Sequence, residues 1–300
     1  MSIRFRLRHR TWYRYDRLVA LGPHVLRLHP APHARAAVSG FALSVAPARH
    51  VLRWMHDPQG NRVARVVFEE RMDRLEVEAS LVLDLSPFDP FDFLIEPWAE
   101  RFPLAAPADP ELERELSPCR HVAPGGPLLE AFMASVDMSP APTVEVLAGL
   151  NRRLARDIRY VARLEPGIRE PEETLARGEG SCRDTSWLLA QVLRRLGFAT
   201  RFVSGYLVQP AAASAAARDE AALHAWCEAW LPGAGWIGLD PTSGLLATEG
   251  HVPLAAAPAP RRAAPVSGTL EPAASAFGFE VEVERLDDPA ARHGSGPPGR

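Results

Sequence analysis

Cys182, His224 and Asp240 have the types and the chain order of a nucleophile, its general base and a residue that orients the base. A cysteine thiolate can attack an amide carbonyl to form a thioester, and an imidazole can take up the thiol proton and later return it. A carboxylate can hold the imidazole in one tautomer and stabilise its charged form. Whether the three residues can meet depends on the elements that carry them.

Cys182 is expected at the first position of a helix. Ser181 is a suitable N-cap, Asp184 follows it at the spacing of a capping box, and an apolar stripe predicts a helix that stops at Gly197. The unpaired N–H groups and the helix dipole at this position favour a thiolate. The alternative is an ordinary buried cysteine near a helix start. Arg183 is expected to be structural or to position the substrate.

His224 lies on a predicted strand, Leu223–Leu231, whose side chains alternate between the two faces of a sheet. The face of His224 also carries Trp226, Glu228 and Trp230. Cys227 points the other way and is expected to pack in the core. Cys119 follows a proline in an irregular region and is also expected to be structural. Neither of these two thiols is therefore placed in the site.

Asp240 ends the predicted strand Trp236–Asp240 and could reach the ring of His224 from the neighbouring strand. A plain four-residue loop at 232–235 would turn Asp240 onto the face opposite to His224. We therefore predict a bulge or an odd-length loop in this hairpin. The alternative for Asp240, considered alone, is a turn aspartate at a strand end.

The first hundred residues have the pattern of short strands. Ile3, Phe5 and Leu7 alternate with arginines, which is the period of a half-buried strand. Turn residues separate further predicted strands at Val25–Leu28, Phe41–Val45, Val51–Trp54, Val63–Phe68 and Leu75–Leu83. This pattern predicts a β-sandwich-like N-terminal domain over residues 1–100.

Residues 101–255 change to a helical pattern followed by strands, which predicts an α+β core with helices packed on an antiparallel sheet. Helices are predicted at Pro127–Val136 and at Thr143–Ile158, with Thr143 as the cap of the second. The strands are predicted at Phe198–Val208, Leu223–Leu231 and Trp236–Asp240. The alanine-rich segment 209–222 is expected to be a surface loop that could cover the site.

Beyond the core the composition shifts to alanine and proline. Residues 256–286 are expected to form an extension with one strand at Phe277–Val283, and residues 287–300 are expected to be disordered. The predicted organisation is thus a β domain, a catalytic core, an extension and a tail.

Composition and charge exclude several classes of protein. The 300 residues carry 34 basic and 37 acidic side chains, and the net charge of −3 excludes a strongly basic nucleic-acid binder. No apolar run reaches about 18 residues and the N-terminus alternates apolar with basic residues, so neither a membrane helix nor a secretory signal is expected. An odd number of cysteines favours a reducing compartment. We expect a cytoplasmic protein without membrane or nucleic-acid partners.

No metal or other cofactor is expected. His24, His29 and His33 are spaced too loosely for a zinc site. The segment Gly178–Gly180 lacks the lysine and the spacing of a phosphate-binding loop. No run of spaced acidic residues has the pattern of a calcium loop.

Three blocks of the sequence, in this order, resemble the transglutaminase-like superfamily. They are Gly180–Asp184 with its continuation through Trp187–Leu189 and Arg195–Tyr206, then His224–Trp230, then Gly235–Thr242. The N-terminal half is similar to the β domain that precedes this core in bacterial members. The similar segments are Tyr13–Tyr15, Leu26–Pro30 and Asp57–Asn61.

The resemblance implies a papain-like core in which Cys182 at a helix start faces His224 and Asp240 on a sheet. It implies acyl transfer through a thioester on Cys182, with the Cys182 N–H as one oxyanion donor. Tyr160 is a candidate for the second donor, with a packing role as the alternative. The calcium dependence of animal transglutaminases is not carried over.

Three functions fit these residues. The first is a cysteine peptidase or amidase that hydrolyses a peptide or protein substrate. The second is a protein-glutamine transglutaminase, which passes the acyl group to an amine acceptor. The third is a non-catalytic module that binds a peptide in the same groove. The sequence leaves the substrate and the oligomeric state open.

Overall fold

The computed structural model describes residues 2–104, 109–211 and 218–286. Helices and antiparallel sheets occur together in these ranges, which confirms the predicted α+β class. The predicted disordered tail lies outside the described residues, as does the middle of the predicted covering loop. The last residues of that loop, 220–222, belong to a strand. None of the described helices is long and apolar enough to cross a membrane.

The strands of the first part of the chain come before any α-helix. They are β1 (Ile3–Val19), β2 (His24–Leu26), β3 (Ala37–Ala46), β4 (His50–His56), β5 (Arg62–Phe68) and β6 (Met72–Leu85).

The rest of the described chain contains all five α-helices and the remaining strands. They are β7 (Arg101–Phe102), α1 (Pro110–Arg120), α2 (Pro127–Ala134), β8 (Ala141–Pro142), α3 (Thr143–Asp157), β9 (Arg159–Tyr160), α4 (Pro171–Arg177), β10 (Glu179–Gly180), α5 (Cys182–Arg195), β11 (Thr200–Gln209), β12 (Glu220–Leu231), β13 (Gly235–Asp240), β14 (Leu245–Leu246), β15 (His251–Ala257), β16 (Val266–Ser267) and β17 (Ser275–Arg285). Short 3₁₀ turns occur at Pro97–Ala99 and Pro260–Arg262.

Two four-stranded antiparallel sheets form a sandwich, with the strand orders β17-β1-β6-β3 and β16-β2-β5-β4. They share one apolar core, in which Phe5 and Leu7 of β1 are fully buried. The arginines that alternate with them pair with acids on neighbouring strands, as Arg8 does with Glu78 at 2.7 Å. The predicted β-sandwich-like architecture is therefore confirmed, and period-2 alternation was enough to find it.

Residues 256–286 return to this sandwich, although their composition sets them apart in the sequence. β16 pairs with β2, and β17 runs antiparallel along β1, from Phe5 opposite Arg285 to Tyr15 opposite Ser275. The strand predicted near residue 280 is therefore longer than expected and forms an edge of the first sheet. Pairing between the two ends of a chain leaves no local signal in the sequence.

A five-stranded antiparallel sheet with the order β14-β13-β12-β11-β15 carries the predicted site strands. Helix α5 packs on the face of this sheet that presents Ala225, Cys227 and Ala229, and these side chains share one core with its apolar stripe. Cys227 is 0% exposed, so its expected place in the core is confirmed. β11, β12 and β13 confirm the three predicted strands, whereas β15 is not among the predicted elements.

Two local predictions are wrong. Cys119 lies in helix α1 and not in an irregular segment, because Asp109 caps this helix and Pro110 suits its first position. Thr143 does not cap α3, since it is already the first helical residue. Its hydroxyl donates instead to the carbonyl of Ala99 at 2.7 Å.

The sandwich covers the outer edge of the five-stranded sheet, which is strand β15. The Asn61 side chain accepts a hydrogen bond from the Ala256 N–H at 2.9 Å and donates to the Ala256 carbonyl at 3.0 Å. The Ala31 N–H donates to the Pro253 carbonyl at 2.7 Å. Apolar side chains of β11 and β15 also enter the core of the sandwich. An edge strand is thus protected from unwanted pairing.

Gly205 on β11 provides a test of this packing. A Cβ at Gly205 would lie 2.3 Å from the Val252 carbonyl oxygen and 2.6 Å from the Trp226 ring. Gly205→Ala is therefore expected to lower the free energy of unfolding by about 1–3 kcal/mol in urea titrations. A Cβ added at Gly149 in α3 would meet no neighbouring atom within 4 Å. Gly149→Ala should therefore raise the free energy of unfolding by about 0.5–1 kcal/mol. Wild-type stability of Gly205→Ala would contradict the close packing.

Candidate active site

A buried carboxylate holds the first turn of α5. Asp184 is 0% exposed and accepts hydrogen bonds from the Ser181 N–H (3.0 Å), the Ser181 hydroxyl (2.9 Å) and the Arg169 N–H (2.8 Å). Arg163 donates to the same carboxylate at 2.8 Å. Burial opposes the charge of Asp184, but these donors outweigh it and lower its pKa. The predicted capping role of Asp184 is confirmed, and its ion pair ties the helix to the preceding loop.

Cys182 is the first residue of α5 and is 9% exposed. Two contacts fix its position. Strand β10, which ends at Gly180, pairs in parallel with β9, and Ser186, one helical turn after Cys182, donates to the Ala225 carbonyl at 3.0 Å. Because Ala225 directly follows His224, this hydrogen bond brings the first turn of α5 beside the histidine.

The turn between β12 and β13 sets the face on which Asp240 lies. Leu231 pairs with Gly235, so the turn contains three residues, an odd number. It is made by a proline followed by a glycine with φ +87°, which are residues that a type II turn favours. Continued along the strands, this register puts Asp240 opposite Trp226 and hence on the face of His224. Of the two predicted alternatives, a bulge or an odd-length loop, the structure has the odd-length loop.

His224 and Asp240 form a buried hydrogen-bonded pair. Nε2 of His224 lies 3.1 Å from Oδ2 of Asp240, and the two residues are 9% and 1% exposed. The Thr242 N–H donates to Oδ1 of Asp240 at 2.9 Å, and the Ser243 hydroxyl donates to Oδ2 at 3.1 Å. The turn after β13 thus orients the carboxylate toward the imidazole.

The surroundings favour the charged forms of both partners. Burial alone would lower the pKa of His224, but the hydrogen bond to Asp240, together with the negative charges of Asp240 and Cys182, raises it to about 10. Burial would raise the pKa of Asp240, but its donors and the charge of His224 hold it well below its usual range. Imidazolium and carboxylate are therefore the stable forms at neutral pH.

One ring nitrogen of His224 remains for Cys182. Because Nε2 faces Asp240, Nδ1 is the nitrogen that can exchange a proton with the thiol. The negative charge of a nearby Cys182 is among the causes of the raised pKa of His224. A protonated imidazole in turn stabilises a thiolate. The structure thus brings the three predicted residues together.

Tyr160 lies beside these residues. In the pairing of β9 with β10 it lies opposite Gly180, and Gly180 is two residues before Cys182 in the chain. Burial and the negative charges of Cys182 and Asp240 raise the pKa of Tyr160, so its hydroxyl stays protonated. The residue is 53% exposed and can therefore meet a ligand.

His251 is a residue of the site that the sequence does not reveal. Its Nε2 lies 3.4 Å from Oδ2 of Asp240, and its ring packs edge-on against Trp226 with centroids 5.2 Å apart. It begins β15, which is not predicted, and it follows the last sequence block that resembles the superfamily. The only available signal would be a histidine at the start of a short apolar run.

His224, Asp240 and His251 also bring three possible metal ligands within 4.8 Å of one another. The two rings already contact the carboxylate through hydrogen bonds. An ion here would displace the proton that His224 shares with Asp240, so we assign the cluster to the hydrogen-bond network of the site. The three loosely spaced histidines each contact a different protein group. His24 contacts the carbonyl of Gly22, His29 that of Pro30, and His33 the carboxylate of Glu228.

Two other polar residues considered in the sequence have structural partners. Arg183 donates to the carbonyls of Arg163 at 2.9 Å and Glu165 at 3.1 Å, which supports the loop before α5. Glu228 is buried and pairs with Arg201 at 2.5 Å. Of the two expected roles of Arg183, structural support or substrate positioning, these hydrogen bonds agree with structural support.

The buried ion pair of Asp184 should contribute strongly to stability. Asp184→Ala leaves Arg163, whose side chain is 11% exposed, without its carboxylate, and should lower the free energy of unfolding by about 3–5 kcal/mol. Glu145→Ala removes an exposed acid from the first turn of α3 and should change the free energy of unfolding by less than about 0.5 kcal/mol. Denaturant unfolding followed by circular dichroism measures both. Equal effects would contradict the role of Asp184.

The raised pKa of His224 predicts a pH dependence of stability. The pKa of the His224 ring is about 10 in the folded protein, against an ordinary value of 6.5 that applies to the unfolded chain. Protonation of the ring therefore stabilises the folded state fully below pH 6.5, and this contribution is lost as the pH rises through 10. The Tm of the wild type should exceed that of His224→Gln by a margin that shrinks over this interval. His56→Gln, at an exposed position, controls for the substitution itself. A constant margin would show that the ring is not charged.

Comparison with known proteins agrees with this geometry. Residues 131–241 match the family model of the transglutaminase-like superfamily, and residues 5–84 match that of the bacterial transglutaminase-like N-terminal region. An uncharacterised protein of Mycobacterium tuberculosis is 27% identical over 260 residues, which cover 83% of this chain and 82% of the relative. One of Mycobacterium leprae is 26% identical over 285 residues, covering 94% and 99%.

The fold also matches a solved structure. A Cytophaga hutchinsonii protein, named as a candidate cysteine protease, has a TM-score of 0.70 at 17% identity, and the match covers 96% of this chain and 92% of that one. The core match contains Cys182, His224 and Asp240, and the N-terminal match covers strands of the sandwich. This chain belongs to the transglutaminase-like superfamily, in the bacterial form with an N-terminal β region.

Proposed function

We propose that this protein is a cysteine hydrolase that cleaves peptide or amide bonds through a thioester on Cys182. The observation that carries the proposal is the buried contact of His224 Nε2 with Asp240 Oδ2 at 3.1 Å, beside a cysteine at a helix start. An oriented imidazole next to a thiol is the arrangement that thioester chemistry needs. Membership of the superfamily supports cysteine-dependent chemistry of this kind.

The proposed reaction has two halves. With the thiol proton on Nδ1 of His224, Sγ of Cys182 attacks the carbonyl carbon, the C–N bond breaks, and Nδ1 gives the proton to the leaving amine. Water then attacks the thioester and gives a proton to Nδ1, and the C–S bond breaks to release the acid and the Cys182 thiolate, which restores the starting pair of thiolate and protonated imidazole. Asp240 stays ionised throughout, because its pKa lies far below neutral pH.

The tetrahedral intermediates need donors for their oxyanion. The Cys182 N–H belongs to the first turn of α5, where N–H groups have no acceptor within the helix. We assign the second donor to the hydroxyl of Tyr160, because it is protonated and the charge of Cys182 acts on it. The pairing of Tyr160 with Gly180 keeps it near the nucleophile.

Three exposed apolar side chains lie on elements next to the site residues and favour a polypeptide substrate. Tyr160, Leu164 and Leu245 are 53%, 65% and 64% exposed. Leu245 pairs with Asp240, and Leu164 lies in the loop that the arginine after Cys182 holds by two hydrogen bonds. Such a rim suits apolar side chains next to the scissile bond better than a small charged amide.

The proposal also includes water as the acyl acceptor and a cytoplasmic location of the protein. Water is the acyl acceptor present at the highest concentration, whereas an amine would need a binding site of its own. All three cysteines lie in described ranges and are free thiols, which fits a reducing compartment.

Product analysis tests the proposed function. The wild type, Cys182→Ala and the control Cys119→Ala, which removes a buried thiol from another cluster, are incubated with a peptide library with and without a primary amine. Mass spectrometry should find new carboxyl termini with the wild type and the control. Cys182→Ala should lose at least about a thousandfold in rate.

Each other outcome contradicts a definite part of the proposal. Cleavage that survives Cys182→Ala would exclude Cys182 as the nucleophile. Products that carry the amine in place of a new terminus would favour the transglutaminase over the hydrolase. A folded protein that forms no product and whose Cys182 resists iodoacetamide would indicate a peptide-binding module.

A further inference from the structure

A second histidine contacts the carboxylate oxygen that orients His224. Nε2 of His251 lies 3.4 Å from Oδ2 of Asp240, and the side chain of His251 is 8% exposed. The residue lies beyond the region that matches the superfamily model, which ends at residue 241. None of the proposed reaction steps uses this buried imidazole.

The hydrogen bonds of His251 fix its tautomer. The Thr248 N–H donates to Nδ1 of His251 at 3.1 Å. A nitrogen that accepts a hydrogen bond carries no proton, so the neutral ring carries its proton on Nε2 and donates it toward Asp240. Together with the donors from the turn after β13, Asp240 then has partners on both oxygens. The carboxylate cannot rotate without losing several hydrogen bonds.

One indole supports both imidazoles. The Trp226 ring stacks beside His224 with centroids 6.4 Å apart and meets His251 edge-on at 5.2 Å. Space for this ring exists because two neighbouring residues have no side chain. A Cβ would lie 2.6 Å from the ring at Gly205 and 3.5 Å from its Nε1 at Gly238. The positions of the two histidines are therefore linked through packing as well as through Asp240.

The N-terminal sandwich holds the strand that carries His251. Asn61 hydrogen-bonds to both backbone groups of Ala256, and Ala31 donates to Pro253, all along the outer edge of β15. Asn61 ends one of the N-terminal sequence segments that resemble bacterial members, and Ala31 directly follows another. Neither segment reaches the reacting groups, so their contact with β15 is their link to the site.

We propose that His251 is a positioning residue for Asp240, and that the N-terminal sandwich keeps it in place by covering β15. This inference deepens the proposed function and rests on it. A shift of β15 moves the Nε2 proton of His251 away from Asp240, which removes one of the donors that hold the carboxylate and loosens its orientation. His224 then loses its alignment with Cys182, although no residue of the triad has changed.

Alkylation of Cys182 by iodoacetamide tests this without a known substrate, since it reports how readily the thiol passes its proton to His224. His251→Leu removes the donor and should lower the rate at pH 7 about tenfold, the effect of one hydrogen bond to a charged group. His251→Gln offers an amide N–H in its place and should restore at least half of the loss. Mass spectrometry assigns the label to Cys182.

The contact with the sandwich is tested in the same assay. Asn61→Ala should lower the rate about threefold, in the range of coupling between distant groups. Gln59→Ala, at an exposed position of the same turn, should leave it unchanged. Circular dichroism checks that each variant is folded. If His251→Leu does not fold, His251→Asn replaces it, because its shorter amide cannot reach Asp240.

The outcomes separate this inference from the proposed function. A wild type whose Cys182 is not alkylated overturns both. A reactive wild type with an equally reactive His251→Leu variant overturns the inference alone. Equal losses in His251→Leu and His251→Gln would mean that the ring acts by packing and not by donation. Wild-type reactivity of Asn61→Ala would overturn the role of the sandwich.

Discussion

The buried contact between His224 and Asp240 is the constraint on which the rest of the site depends. An imidazolium and a carboxylate can remain in a protein interior only if their mutual attraction and their other hydrogen bonds compensate for the lost water. The turn after β13 and a second histidine supply these bonds to the carboxylate. The cysteine completes the arrangement, because its negative charge further favours the protonated ring.

The proposed nucleophile and the proposed base, Cys182 and His224, come from separate elements, and each is fixed on its own. Helix α5 is held by Asp184, whose carboxylate joins the helix start to the preceding loop. His224 is held by the sheet, whose edge strand is in turn covered by the N-terminal sandwich. The two parts meet where Ser186 donates to the backbone of β12. The geometry of the site therefore depends on contacts along most of the chain.

Local patterns were sufficient to predict the elements that carry the site. The spacing of Ser181 and Asp184 predicted the helix start, and alternation along β12 separated His224 from Cys227. The requirement that Asp240 and His224 share a face predicted a bulge or an odd-length turn in the hairpin, and the turn has three residues. What the sequence could not reveal depends on distant pairing. His251 approaches Asp240 only through the edge position of β15, and β17 joins a strand from the opposite end of the chain.

Surface turns usually tolerate changes in length, because they pack against little else. The turn between β12 and β13 is different, since the number of its residues determines on which side of the sheet the orienting carboxylate emerges. Related chains can therefore gain or lose residues there in pairs. A single insertion or deletion would leave every site residue in the sequence and yet turn Asp240 to the face opposite to His224, unless a bulge restored the alternation.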